Sequence, residues 1–284
     1  MPMKMLFAFL AIAMSISFNA DCQTQSALPF SVPSRQLTLH SNHLGEDRVL
    51  NIYLPLGYDT LTKQNFDVIY LLDGSIDEDF IHVCGAVQFL SFSWINQCQP
   101  TIVVGIENVD RRRDFTFPTS VEEDRKTWPT TGHSASFISF LDDELQPFID
   151  SQFRTSNRKI LIGQSLGGLL ACQIYLEQNA MFTDYIIISP SLWWDNESLI
   201  KRYKALPKTN AELNASMQIA VGREGRIMVG DARKLDRLIK QRRKRRYHSK
   251  MLYFRACDHG DVGHLAVYAM LKELNLRSQR RAKF

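Results

Sequence analysis

The chain has 284 residues, 45% of them hydrophobic and 23% charged, with a formal net charge of only +4. That composition excludes a chain disordered along its length and supplies a core large enough for one α/β domain or two small ones. The net charge makes a weak whole-molecule field, and the five cysteines (Cys22, Cys84, Cys98, Cys172, Cys257) contain no Cys-x-x-Cys pair and no zinc-ligand spacing, so no metal is expected.

Met1 to Ala20 carries Lys4, an apolar run from Met5 to Phe18, then small or polar residues. This is the layout of a secretory signal peptide, assigned to residues 1–22 and followed by one domain over residues 26–284. The run is short for a bilayer span. Export to a bacterial periplasm or beyond is therefore expected, with no stable membrane insertion once the segment is removed; an uncleaved anchor is the competing reading. In an oxidising compartment Cys84 and Cys98, close in sequence, are candidates for a disulfide, whereas Cys172 lies in an apolar helix pattern and reads as a small buried side chain.

Gln36 to Ser41 and Arg48 to Leu54 alternate apolar with polar residues, which predicts an antiparallel hairpin. Phe66 to Leu72 and Thr101 to Ile106 are unbroken apolar runs, as in strands buried on both faces, with a helix pattern from Phe80 to Ile95 between them. Glu107 to Ser136 is rich in charge, threonine and proline, and too long for an ordinary connection; it reads equally as a functional loop and as a surface excursion braced by arginine and aspartate. Helical spacing returns from Phe137 to Ser151.

Lys159 to Leu170 reads as a buried strand, a tight turn carrying Ser165, and the start of an apolar helix. Gly163 and Gly167 sit two residues either side of Ser165, the spacing of a nucleophile elbow, in the strand-to-helix context that motif requires. A side chain at either glycine would collide with neighbouring backbone, and Gly168 is a third place where the helix can approach the sheet. The helix beginning at Leu166 turns its unpaired N–H groups toward the serine, where they would stabilise a developing oxyanion.

Strands are expected over Asp184 to Ile188, Met217 to Val221 and Met251 to Phe254, with helices over about Asp231 to Arg243 and Leu265 to Leu274. This alternation predicts a mostly parallel central sheet with helices on both faces and the hairpin at its N-terminal side, an α/β-hydrolase type of architecture. Positive charge concentrates in Lys240 to Arg246 and in Arg277 to Lys283. No aromatic interleaving or nucleic-acid motif accompanies these runs, so they read as solvated helix ends and no nucleic-acid partner is expected.

In an open α/β sheet the reactive groups gather beyond the carboxyl ends of the strands. Ser165, Glu224 and His259 all fall there, in the order nucleophile, acid, base that α/β hydrolases use. His264 is the other histidine of the last loop, and Asp231 and Asp258 are alternative acids. Trp193 and Trp194 follow a strand end, one expected at the substrate and one in the core.

The chain resembles the esterase family of α/β hydrolases that includes siderophore esterases, feruloyl and acetyl-xylan esterases and mycolyltransferases. The resemblance rests on Tyr70-Leu-Leu-Asp-Gly74, Arg112 to Thr116, Gly132, Asp143 to Pro147, Gly163 to Gly168, Ser189-Pro-Ser-Leu-Trp193 and Asp258-His-Gly260. It implies that backbone N–H groups of Ser75 and Leu166 form an oxyanion hole, and that a small-molecule ester is hydrolysed through an acyl-enzyme on Ser165 without metal or organic cofactor. Asp261-Val-Gly263 departs from the Ser-Val-Pro-like run usual after the catalytic His-Gly. Arg113, within Arg111 to Arg113, is the candidate contact for an anionic substrate such as a ferric catecholate; pairing with Asp110, Asp114 and Glu122 is the competing role. Acyl transfer with the same residues, or a binding module on a hydrolase fold, are the alternatives to hydrolysis.

Overall fold

The computed structural model describes residues 34–178, 180–206, 215–242 and 248–281. The expected signal segment with Cys22, and most of the basic run after Arg242, lie outside the described residues. Strands β1 (Ser34–Ser41) and β2 (Glu46–Tyr53) form the expected antiparallel hairpin, with Ser41 opposite Glu46. The apolar runs become β3 (Phe66–Leu71), β4 (Thr101–Ile106), β5 (Thr155–Gln164), β6 (Asp184–Ile188), β7 (Ser216–Gly222) and β8 (Ser249–Phe254). Among the described residues they make one eight-stranded sheet in the order β1-β2-β4-β3-β5-β6-β7-β8, antiparallel only from β1 to β4.

Helices cover both faces because the central strands are apolar on both. On one side α1 (Phe80–Ser91) and α9 (Val262–Arg281) bury Val83, Val87, Val267 and Met270 against Ile69, Val103 and Ile186. On the other, α6 (Leu166–Glu177) lies over Tyr70, Leu161 and Ile187 beside α8 (Gly225–Arg242). From β3 the chain crosses to β4 on one side, and from β5 it proceeds to β6 on the other. The crevice beyond the ends of β3 and β5 is thus the switch point where such sheets carry ligands.

Several boundaries differ from the sequence reading. The helix α1 stops at Ser91, where the N–H groups of Gln97 and Cys98 turn back onto the Leu90 carbonyl. The helix expected from Asp231 begins at Gly225, which takes φ +82°. The helix over Phe137 to Ser151 begins earlier, as α4 (Ser134–Ser139), passes through a π turn (Phe140–Leu145) and ends as α5 (Gln146–Gln152). Pro147 has no N–H to return to the Asp143 carbonyl, and the widened turn accommodates that gap. Cys84 and Cys98 are buried free thiols, not a disulfide, and burial pushes the Cys98 thiol up to about 11.

The long segment after β4 holds two short helices, α2 (Arg111–Phe115) and α3 (Glu122–Thr127). Asp110 caps α2, accepting from the N–H groups of Arg112 and Arg113. The segment then folds back, with His133 N–H on the Arg113 carbonyl and Ser134 N–H on the Thr116 carbonyl, both at 3.0 Å. Phe115 and Phe117 are buried, so this is no surface excursion. Its root is a buried ion network: Arg48 lies 2.6 Å from Asp114, both essentially inaccessible, while Arg113 bonds Asp114 at 2.7 Å and Glu46 at 2.5 Å, and Glu46 also meets Arg48.

Removing one member of such a network strands buried charge. Asp114→Ala is expected to destabilise the fold by about 3 kcal/mol in urea unfolding. The Arg113 hydrogen bond holds the Glu46 carboxyl below its ordinary value, so its contribution is present above pH about 4.5 and lost as pH falls through the lowered value. Glu46→Gln should flatten that acid limb of the stability profile.

Candidate active site

Ser165 stands between β5 and α6 at φ 57°, ψ −115°, a conformation L-residues rarely adopt. The glycines make it possible. A Cβ on Gly163 would lie 2.4 Å from the Gly167 carbonyl oxygen, and one on Gly168 would lie 2.9 Å from the Ile188 carbonyl oxygen. Backbone bonds then fix the turn: Ser165 N–H donates to Ile188 O, and Ser191 N–H donates to Ser165 O, both at 3.0 Å. The turn after β6 is thereby locked to the elbow, with Ser191 Oγ 3.4 Å from Ser165 Oγ.

Glu224, the candidate acid, sits two residues past β7. Glu224 is only 3% exposed, and its Oε1 accepts from Gly222 N–H at 2.7 Å and from Ser189 Oγ at 2.5 Å. Its Oε2 faces His259 Nδ1 at 2.6 Å. A proton on Nδ1 donating to the carboxylate leaves Nε2 as the free base of the ring. A second set of contacts seats the histidine loop. Gln164 Nε2 donates to the His259 carbonyl at 2.8 Å, Arg223 N–H donates to Cys257 O at 2.7 Å, and Gly222 allows the carbonyls of Cys257 and Asp258 to approach where a Cβ would stand.

Ser165, Ser191, Trp193, Glu224 and His259 line a common cleft of about 380 Å³. Two of the competing residues stand elsewhere: His264 packs against His82 with ring centroids 4.0 Å apart, and Asp231 is paired with Lys234. Asp258 lines the cleft, but its carboxylate accepts from Gly260 N–H in its own turn, and it is Glu224 that meets His259 Nδ1.

Leu166 N–H opens α6 and so has no intrahelical acceptor. Ser75 lies in the loop after β3, where Asp73 takes φ 53° and bonds Arg111 twice, at 2.8 and 3.0 Å. That loop rests on the elbow: a Cβ on Gly167 would lie 3.2 Å from Asp73 Oδ2.

A second cleft of about 230 Å³ opens on the other side of Trp193 and also reaches Ser165 and Leu166; Arg111, Arg112, Trp128 and Trp194 contribute to its walls. Trp193 is half-exposed and separates the two clefts, whereas Trp194 is buried and donates its indole N–H to Phe117 O at 2.9 Å. The Arg112 guanidinium lies 5.9 Å from the Trp128 ring centre. Arg113, the sequence-based choice for an anion contact, lines neither cleft, because Glu46 and Asp114 hold its guanidinium. Arg112, its neighbour, faces the cleft in its place. Trp128, Ser189 and Gln164 also went unassigned in the sequence; Ser189-Pro-Ser191 was the available signal for one of them. Among the described residues no group of three His, Cys, Asp or Glu is arranged to hold a metal ion.

Residues 41–252 match the family described as "Putative esterase", and the chain belongs to it. Among curated relatives, it is 27% identical over 197 residues to the ferri-bacillibactin esterase BesA of Bacillus subtilis, covering 64% of this chain and 68% of that protein. It resembles the solved structure of an IroE-like serine hydrolase from Shewanella oneidensis (TM-score 0.74, 26% identity, 86% of this chain and 80% of the other). It also resembles that of the BES protein from Bacillus cereus (TM-score 0.72, 27% identity, 86% and 95%). The protein is accordingly a carboxylic ester hydrolase of the α/β-hydrolase fold.

The elbow glycine gives the most direct test of this geometry. Gly163→Ala forces a Cβ against backbone and should destabilise the fold by about 3 kcal/mol. It should also abolish labelling of the protein by a fluorophosphonate probe that the wild type takes up.

Proposed function

We propose that the protein hydrolyses a siderophore ester through an acyl-enzyme on Ser165, with His259 as general base and Glu224 as the acid that orients it. The observation that carries this reading is the shared cleft, which Ser165 enters from a strained elbow and His259 from a ring held 2.6 Å from a buried carboxylate. No hydrogen bond joins His259 to Ser165 among the described residues; such bonds commonly close only in the substrate complex. His259 Nε2 takes the Ser165 proton as Oγ attacks the ester carbonyl. The N–H groups of Leu166 and Ser75 receive the oxyanion, each donor lowering the barrier by about 3 kcal/mol. His259 then protonates the leaving alcohol, and water releases the acyl group.

The substrate class rests on two supports. Relatives carry the names ferri-bacillibactin esterase and iron(III) salmochelin esterase. The cleft beside Ser165 joins three tryptophans to Arg112, which suits a flat aromatic acyl group bearing negative charge, with iron arriving as part of the substrate. We further read residues 1–22 as an export signal, which would put the enzyme where ferric siderophores arrive.

Hydrolysis of ferric and iron-free enterobactin, a feruloyl ester and short and long p-nitrophenyl esters tests the proposal. The wild type should prefer the catecholate esters, and Ser165→Ala should lower kcat by at least about 10⁴-fold. Equal rates in both proteins would remove Ser165 from the mechanism, and a preference for feruloyl or long-chain esters would overturn the substrate class.

A further inference from the structure

A third concavity, separate from both clefts, lies between α7 (Trp194–Ala205) and α8, about 570 Å³ in volume and within the range of ligand pockets. It shares no lining residue with the clefts at Ser165. Facing stripes of the two helices build it. Glu197, Lys201 and Lys204 come from α7, and Lys234, Arg237 and Arg242 from α8, over a floor of Ile200 and Leu238. Among the described lining residues five cations therefore meet one carboxylate, a local excess as large as the formal net charge of the whole chain, +4.

How these cations are held matters more than their number. Of these five, only Lys234 is paired with carboxylates among the described residues, Glu197 at 2.7 Å and Asp231 at 2.9 Å. Lys201 donates to the Asn196 carbonyl, Arg237 to the Arg233 carbonyl, and Arg242 to the carbonyls of Lys204 and Leu206. Carbonyl oxygens orient a cation without cancelling its charge. Arg242 is further held by Tyr203, whose ring lies 5.0 Å from its guanidinium carbon and whose phenol hydrogen-bonds the guanidinium, while its buried Nη1 has no hydrogen-bond partner. An orphaned buried donor is uncommon, and here it belongs to a guanidinium, the group best shaped for phosphate oxygens.

We infer that the α7–α8 groove is a second binding site, separate from the ester site, for an anion carrying two or more clustered phosphate groups, either a soluble polyphosphorylated compound or a phospholipid headgroup. Lys201, Lys204 and Arg237 supply the field, Arg242 the directed contact, and Ile200 and Leu238 a surface for apolar parts of the ligand.

Titration calorimetry of the full chain with tripolyphosphate at low salt tests this. Saturable binding is expected, weakened at least tenfold in Lys204→Gln/Arg237→Gln and by a smaller factor in Lys201→Gln, with ester hydrolysis unchanged in all three proteins. No saturable binding, or binding that the double variant retains in full, would overturn the inference. Retention on vesicles containing cardiolipin, whose headgroup carries two phosphates, but not on phosphatidylcholine vesicles, reversed by tripolyphosphate, would support the headgroup as ligand. Tripolyphosphate binding without vesicle retention would support the soluble compound.

Discussion

A serine held at φ 57°, ψ −115° is backbone strain of order 1–3 kcal/mol that its surroundings must offset. Here they do so by crowding. The carbonyl of Gly167 occupies the volume a Gly163 side chain would need, and β6 with its trailing turn occupies the volume beside Gly168. Two further hydrogen bonds run between the Ser165 peptide and the residues at 188 and 191. The contacts that make the elbow possible are therefore the same ones that bring Ser191 beside Ser165 and hold Trp193 as the partition between two clefts. Nothing about the nucleophile's surroundings is independent of its backbone.

Glu224 and His259 are tied into this frame by side chains rather than by strands. Burying a carboxylate to 3% exposure is unfavourable unless donors replace the lost water, and Glu224 has three: Gly222 N–H, Ser189 Oγ and His259 Nδ1. Ser189 belongs to the turn that also locks the elbow. Gln164, the residue before the nucleophile, reaches the other way to the carbonyl of His259. Four segments after four different strands, β5 to β8, thus form a closed circuit of contacts, and displacement of one is felt at the other three.

What the sequence made legible follows from which interactions are local. Unbroken apolar runs placed most of the parallel strands to within a residue or two, because burial on both faces leaves no polar position to misread; β5 begins at Thr155, four residues before the run that starts at Lys159, because its first residues are polar. The elbow was legible because its glycines answer a steric demand within five residues. The α7 helix was not: its first turn carries Asp195, Asn196 and Glu197 at positive φ, and its polar sequence hides the packing of Leu199 and Tyr203. The π turn before Pro147 depends on how one helix adjusts to a missing donor, which periodicity does not record. Ser189 and Gln164 act across 35 and 95 residues of chain, beyond any local pattern.

The three consecutive arginines of α2 show the same limit and explain the character of the cleft. Successive residues on a helix point about 100° apart, so Arg111, Arg112 and Arg113 must meet different surroundings. Arg111 reaches Asp73 and thereby braces the loop that carries Ser75. Arg113 enters the buried network with Glu46, Asp114 and Arg48. Both charges are spent on structure. Arg112, 5.9 Å from the ring centre of Trp128, has no carboxylate partner among the described residues and stands in the wall of the cleft. The sequence presents three equivalent candidates for an anion contact; the carboxylates placed by β2, β3 and α2 itself remove two of them. Which arginine stays available to an anion is in this sense decided by carboxylates outside the cleft.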